Sequence, residues 1–542
     1  MNKSRPRKSQ SRRFLLVRAF VVFLFVVLGA RLVYVQGIQR SMLKKRANRQ
    51  IPAKGERAPF RYSILDRNGF SLAETIQTAS CYVDPKMIKD SNRVAYELSR
   101  ILDLDSSHLL SRIQKASGSF LWIKRNIPAD LVDKIKAKKL SGVDFKIEDR
   151  RHYPFGVVSS HLLGLVGIDG TGLSGIEQRY DKKLRSKESP SGHVQLTIDG
   201  LIQQVAEREL DWGAKKTKSK KGMVVIQDPW TGHILAMASW PPLSLNPDDP
   251  PPSKELRIPP ITDVFEPGST FKVVVAAAIV EEKLVKEGEI FNGENGAWPV
   301  SSITIHDHEA RDKMSFEDIF VYSSNIGTAK LGDRLGTKRM YQYARSFGFG
   351  VYPGSNLPGE VKGMLRPPVR WSGISKNVIS FGQEVGVTAL QMAGAYSAIA
   401  NGGLLMEPRI VKAIVSRNNE STLWESEPAS VRRVISKDTS EQLKKLLIEA
   451  VRKGTGQNAR IHWRHDFVVA GKTGTAQKFD SAKNQYCNDL TLVSFCGFFP
   501  AGKPKLTMVV ILDEPSGRSW GGVDAAPIFR RIAEQLSAQI LM

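Results

Sequence analysis

The sequence predicts an α+β protein on an N-terminal transmembrane helix, and three observations predict it. An apolar run lies between basic flanks near the start of the chain. A long segment after it alternates short apolar stretches with Gly, Pro and charged turns. The last 350 residues have strand-like segments at both ends and a mainly helical stretch between them. That order fits one antiparallel sheet built from both ends of a domain, with a helical lobe inserted. The chain has 542 residues, 79 Lys+Arg against 54 Asp+Glu (net charge +25), and 41% hydrophobic residues. Such a mix excludes a mostly disordered chain and a polytopic membrane protein. The basic balance suits nucleic acid, an anionic membrane surface or an acidic polymer, and says nothing about fold. Three cysteines, Cys81, Cys487 and Cys496, are too few for a disulfide scaffold and lack zinc-ligand spacing. Cys81 reads as a buried free thiol, and pairing of the other two is left open.

The apolar run sets the first boundaries. Residues 1–13 carry six basic side chains and no acid, and residues 14–35 are apolar except for Arg18 and Arg31. As a helix these 22 residues span about 33 Å, enough for a bilayer core. Both arginines lie near the ends, where they can snorkel to the headgroups. Leu28 stands where a signal-peptide cleavage site needs a small residue before Ala30, so the segment reads as an uncleaved anchor. Residues 1–13 then form a cytoplasmic tail and the body is exported, because large domains translocate largely regardless of charge. Arg40, Lys44, Lys45, Arg46 and Arg49 on the far side leave the charge count itself undecided.

Residues 36–192 read as an α+β pedestal, since the turn at 154–156 and Gly164, Gly167, Gly170, Gly172 and Gly175 break any long helix. Beyond it, a strand at 193–198 leads into a helix at 201–212 with Leu201, Val205 and Leu210 at roughly helical spacing. The five lysines of 215–221 read as a solvated loop. Residues 223–227 and 233–238 flank a turn at 228–232 and form a hairpin. Segments 467–470, 492–499 and 506–512 read as further strands, and Pro527 opens a helix with Ile528, Ile532, Leu536 and Ile540 on one face. The helical lobe spans 269–450.

Three short motifs carry chemistry. Ser269-Thr270-Phe271-Lys272 is an S-x-x-K, Ser323-Ser324-Asn325 an S-x-N, and Lys472-Thr473-Gly474-Thr475 a K-T-G-T. Average composition gives about two chance S-x-x-K matches in such a chain but only about a tenth of a K-T-G. A decoy S-x-x-K does occur at Ser41 to Lys44. Context separates them: Pro267-Gly268 makes a turn before Ser269, and residues 273–280 are apolar on every face, as in a buried helix. Ser269 then occupies the first turn, with Lys272 on the same face and beside its hydroxyl. A serine is a poor nucleophile until a base takes its proton. Lysine can be that base once burial and positive neighbours depress its pKa.

Ser323 and Asn325 follow a helix start at Ser315, with Asp318 three residues on, and fall on a turn between helical segments. Ser323 can relay a proton, and Asn325 can hold a substrate amide. Lys472 to Thr475 extend a strand, and Gly474 leaves room for a substrate backbone to add to its edge. Lys472 and the threonine hydroxyls suit a substrate carboxylate. Backbone N–H groups of Ser269 and Thr475 can form an oxyanion hole. Alternation points Lys472 and Thr473 to opposite faces, so which of them enters the cleft is left open. No cofactor and no metal are expected.

Together the motifs resemble those of the penicillin-interacting serine acyltransferases, class A β-lactamases and penicillin-binding proteins. Ile64-Leu65-Asp66-Arg67-Asn68-Gly69, Arg151-His152-Tyr153-Pro154, His161-Leu162-Leu163-Gly164 and Gly172-Leu173-Ser174-Gly175-Ile176-Glu177 resemble the pedestal of a class B penicillin-binding protein. Asp228-Pro229, Thr231-Gly232 and residues 266–272 extend the likeness over nearly the whole chain. It implies a dimerisation-type pedestal over 36–192 and a penicillin-binding, serine β-lactamase-like transpeptidase domain over 193–542. The implied activity is that of a D,D-transpeptidase that cross-links peptidoglycan stem peptides ending in D-Ala-D-Ala through a Ser269 acyl-enzyme, with β-lactams trapping the serine. Ser380-Phe381-Gly382-Gln383, Asn401-Gly402-Gly403 and Gly521-Gly522 are similar to the division-type branch. That implies septal synthesis at the inner membrane, beside a glycan polymerase and other division proteins. An elongation-type enzyme, a silent division scaffold and a penicilloyl-binding sensor are the alternatives. No recognition module for nucleic acid is present. His306-Asp307-His308-Glu309 and His462/His465 lack the H-E-x-x-H spacing of a metallohydrolase.

Overall fold

The computed structural model describes residues 8–34, 39 and 61–540, except 168, 188, 246–250, 419–420, 464–466, 481–484 and 518; it describes side chains from 18 onward, outside 479–489 and 539–540. Two compact units divide it, 1–59 and 60–542. In the first, a 26-residue helix, Lys8–Val33, takes in Lys8, Arg12 and Arg13 of the expected basic tail. Phe20, Phe23, Phe25 and Leu28 are among its exposed apolar side chains. Among the described residues no helix is long and apolar enough to cross a membrane. Residues 40–60 of the expected pedestal lie outside the described ones.

The second unit begins with the pedestal. Its strand Ser71–Val83 pairs antiparallel with both Leu121–Ile127 and Val143–His152. Alternation turns Ala79, Cys81 and Val83 inward, into a core shared with Leu98, Leu109 and Ile135 of three covering helices. Asp90 and Asp105 start two of those helices by accepting the N–H groups of Arg93 and His108. Lower down, Glu177 is fully buried between two arginines. Its Oε2 accepts from Arg61 Nε at 2.7 Å and its Oε1 from Arg151 Nε at 2.6 Å. Arg61 also reaches Asp181 at 2.6 Å.

A mixed sheet ties pedestal to catalytic part. Its order is Thr422–Glu425, Val411–Val415, His193–Leu196, Ile64–Leu65, Ser71–Val83, Leu121–Ile127. The strands between 404 and 433 correct the expectation of a helical stretch there. Gly402 and Gly403, at φ 82° and 100°, end the helix Ala389–Ala400, and β-branched Val411, Ile414 and Val415 then join the sheet. Across the same junction, the ring nitrogens of His161 lie 2.9 and 3.0 Å from the carbonyls of Arg257 and Pro241.

The catalytic sheet runs Ala470–Asp480, Gln485–Phe499, Leu506–Asp513, Lys221–Gln227, Ile234–Trp240, all antiparallel. Both faces are covered. Val224 and Ile226 share a core with the helices Gly200–Thr217 and Ala526–Ile540, while Met223 and Val225 share one with Lys272–Glu281 and Ala389–Ala400. The expected lysine loop is corrected: the helix continues to Thr217, Lys218 caps it at φ 52°, and Lys221 already opens a strand. The strand expected over 467–470 begins only at Ala470 and runs on through the K-T-G-T, which extends it as expected.

Removing Glu177 leaves Arg151 buried without its anion and Arg61 with Asp181 alone. Glu177→Ala is therefore expected to cost about 3–5 kcal/mol, read as a fall in the unfolding midpoint. An unchanged midpoint would contradict the role given to this cluster.

Candidate active site

Ser269 enters on a short 3-10 turn, Gly268–Phe271, that runs directly into the helix Lys272–Glu281. Gly268 adopts φ +55°, and a Cβ there would stand 2.9 Å from the Thr475 carbonyl, so the nucleophile's turn lies hard against the K-T-G-T strand. Thr270 locks the turn: its hydroxyl donates to Pro267 O at 2.7 Å, and its carbonyl accepts from the buried Tyr396 hydroxyl at 3.0 Å. Behind it, residues 272–279 are buried on all sides, as the sequence pattern anticipated.

Lys272 is fully buried, yet it does not meet the expected partner. Its Nζ lies 2.6 Å from Ser323 O, 2.8 Å from Asn325 Oδ1 and 3.3 Å from Ser323 Oγ. Among the described residues no hydrogen bond joins it to the Ser269 hydroxyl. The S-x-N oxygens win because a buried amine turns to the strongest acceptors in reach, here a main-chain carbonyl and an amide oxygen. Burial first, and the nearby charge of Lys472 second, hold the Lys272 amine well below its usual range, against an opposing pull from Asp307.

Ser323 sits at φ +62° between the helices Phe316–Val321 and Asn325–Leu335. The expected capping box of Ser315 and Asp318 is present in full. Asp307, which the motif reading set aside with its histidine neighbours, holds the turn in place. It accepts from Ser324 Oγ at 2.5 Å, Asn325 N at 2.5 Å and Ile326 N at 3.0 Å, at the positive end of the following helix. The Asn325 amide donates to His306 O at 2.9 Å. A carboxylate just after a hairpin-borne histidine gave no spacing signal for such a cap. Among the described residues no cluster of metal ligands occurs; His465 lies outside them.

The structure settles which face Lys472 takes. It shares a strand face with Gly474, where an added Cβ would meet Pro267 O and Thr270 Cγ2, both at 2.9 Å. Lys472 therefore faces the nucleophile's turn. Thr473 points the other way, with its hydroxyl 2.6 Å from that of Thr455, and Thr475 Oγ1 accepts from Gly521 N at 3.2 Å. The reason given for Gly474 is corrected as well: the space is taken by the chain's own Ser494, Pro267 and Thr270. Lys472 Nζ is buried without a hydrogen-bond partner among the described residues, and burial lowers its pKa to about 7. Opposite it in register lies Cys496, buried and free.

Asp307→Ala is expected to slow acylation of the site about 10- to 100-fold by loosening the S-x-N turn, while costing only about 1–2 kcal/mol of stability. Stopped-flow acylation by penicillin reads the first effect; a rate equal to wild type would contradict it.

Comparisons with known proteins agree with this geometry. Residues 222–534 match the penicillin binding protein transpeptidase domain, and residues 56–218 the penicillin-binding protein dimerisation domain. The chain is 33% identical to stage V sporulation protein D of Bacillus subtilis, over 96% of this chain and 84% of that protein. It is 29% identical to the peptidoglycan D,D-transpeptidase FtsI of Escherichia coli, over 96% and 90%. The crystal structure of penicillin binding protein 3 from Mycobacterium tuberculosis in complex with aztreonam superposes at a TM-score of 0.70, with 28% identity over 90% of this chain and 97% of that one. A family model covering more than half the chain, on a fold that brings the three motifs together, makes this chain a member of the penicillin-binding protein transpeptidases.

Proposed function

We propose that the chain is a peptidoglycan D,D-transpeptidase acting through a Ser269 acyl-enzyme. The observation that carries the reading is the buried Lys272 amine held by Ser323 and Asn325. A neutral amine has two N–H donors, which Ser323 O and Asn325 Oδ1 satisfy, and it keeps a lone pair to take a hydroxyl proton. Ser269 Oγ attacks the penultimate D-Ala carbonyl as its proton passes to Lys272, directly or through Ser323. The N–H groups of Ser269 and Thr475 face the oxygen that becomes negative. Collapse expels the terminal D-Ala, whose amine takes up the proton. The amine of a second stem peptide then attacks the ester and restores the serine. Lys472, whose buried amine has no hydrogen-bond partner among the described residues, serves the substrate's terminal carboxylate, the hydroxyls of Thr473 and Thr475 reaching it only by leaving Thr455 and Gly521, and Asn325 orients its amide.

The names of the relatives support placing this activity in septal or spore cell-wall synthesis. The exposed apolar run from Phe20 to Leu28 supports residues 14–35 as a single anchor in the inner membrane, with the body outside the cytoplasm. Domains over 36–192 and 193–542, inhibition by β-lactams, and a glycan polymerase and division proteins as partners complete the proposal.

Fluorescent penicillin is expected to label the wild type and not Ser269→Ala; label retained in the variant would remove Ser269 as nucleophile. The second-order acylation rate should rise on the acid side as Lys272 gives up its proton. With a carboxylate-bearing β-lactam it should fall again above about pH 7, as Lys472 loses the charge that holds the carboxylate. A rate independent of pH from 5 to 9 would contradict both lysine roles.

A further inference from the structure

Two of the three motif segments are fastened to one stretch of chain, residues 375–387, that itself carries no part of the acyl transfer. On the nucleophile's side, Phe265 N donates to Val387 O at 3.0 Å and Val387 N to Phe265 O at 2.8 Å. Gly268 N donates to Gly382 O at 3.1 Å, and Glu266, three residues before Ser269, accepts the N–H of Glu384 through its Oε1 at 2.9 Å. On the S-x-N side, the short helix Ser375–Ser380 holds Asp333 of the helix Asn325–Leu335. Asn377 Nδ2 donates to Asp333 Oδ1 at 3.0 Å, and Lys376 Nζ lies 2.8 Å from the same oxygen. The two helices meet closely, since a Cβ on Gly332 would stand 2.9 Å from that of Ser380. Residues 375–387 therefore run from the turn that bears Ser269 to the helix that begins with Asn325.

Glu384 closes this brace. It adopts φ +54°, a left-handed conformation open to glycine and unfavourable for a glutamate. Such strain persists only where the surroundings over-determine the residue, and here they hold it from two sides. Its N–H is taken by Glu266, while its Oε2 accepts from Ser375 Oγ at 2.6 Å and pairs with Arg366 Nη2. Ser375 is fully buried, whereas the Arg366 and Glu384 side chains are 41% and 25% exposed. An ion pair that exposed adds little to stability. Its effect is geometric, because it ties the start of the helix Ser375–Ser380 to the strained residue that grips Glu266. We propose that Glu384, locked by Arg366 and Ser375, is a positioning residue that sets where Ser269 stands relative to the Lys272 amine and its S-x-N holders. The proposal rests on the Ser269 acyl-enzyme reading and deepens it.

Stopped-flow acylation of the full-length protein over a range of penicillin concentrations separates the saturating rate constant from the dissociation constant of the first complex. Glu384→Gly removes the clamp and relaxes the left-handed backbone. Its unfolding midpoint is expected to stay near that of wild type, the released strain offsetting the lost ion pair. Its saturating rate constant should fall about tenfold, as for a misplaced nucleophile, with the dissociation constant little changed because Lys472 and Asn325 are untouched. Arg366→Ala should show the same kinetic loss. Arg366→Lys should recover most of it, since the guanidinium meets Glu384 through a single nitrogen. Saturating rates equal to wild type in Glu384→Gly and Arg366→Ala would overturn the proposal. So would a loss carried by the dissociation constant, or an Arg366→Lys variant no faster than Arg366→Ala. A smaller fraction of protein labelled at the wild-type rate would overturn it as well, because that marks a residue that only supports the fold. Failure of the acyl-enzyme reading shows elsewhere, as absence of acylation in the wild type.

Discussion

Everything at the site depends on taking the Lys272 amine out of water. In solution a lysine keeps its proton to about pH 10.4 and cannot serve as a base near neutrality. Burial disfavours the charged form, and a second lysine nearby disfavours it further, so the two amines do not both carry charge at neutral pH. Lys272 is the one driven further down, while Lys472 is left at about 7. The same desolvation thus separates a base from a carboxylate-binding cation. It has a cost to the fold: a shift from 10.5 to about 7 at Lys472 corresponds to about 5 kcal/mol. Because the folded pKa lies below the unfolded one, that penalty is full below about pH 7 and is relieved as pH rises toward 10.5.

Close backbone contact makes such burial possible. Gly268, Gly382, Gly474 and Gly521 let the nucleophile's turn, its supporting loop and the K-T-G-T strand approach one another to distances at which a Cβ would collide with main-chain atoms. Tyr396 and Thr270 then brace the turn from inside, and Asp307 braces the S-x-N turn from outside. None of these residues needs to touch substrate. They hold three segments, two from the helical lobe and one from a strand beyond it, in one small volume.

Those three segments were legible in the sequence, because S-x-x-K, S-x-N and K-T-G-T each carry their residues at fixed local spacing. The buried helix after Ser269 was legible too, since apolar residues on every face admit few other readings. What local spacing could not show was the pairing across segments. Lys272 was expected beside Ser269 because they are three residues apart, whereas the structure turns its amine to Ser323 and Asn325, about fifty positions away. Gly474 was read as room for substrate, though the space beside it is filled by Ser494, Pro267 and Thr270. Asp307 was weighed only as a metal ligand, because a carboxylate that caps a distant helix leaves no periodic trace. The strands at 404–433 were missed for a related reason: they are short and partly exposed, and apart from one local hairpin their pairings go to residues far away in sequence.

The net charge of +25 suggested several partners and decided among none of them. Side-chain placement is more informative, because it sets two lysines, Lys272 and Lys472, fully inside the site. The central claim is that burial makes Lys272 a neutral amine at physiological pH. The most direct measurement is an NMR titration of lysine Nζ in selectively labelled protein, with Lys272→Arg to assign the resonance. A Lys272 resonance that stays neutral through pH 7 is the predicted result, and titration near the ordinary value of about 10.4 would contradict the account.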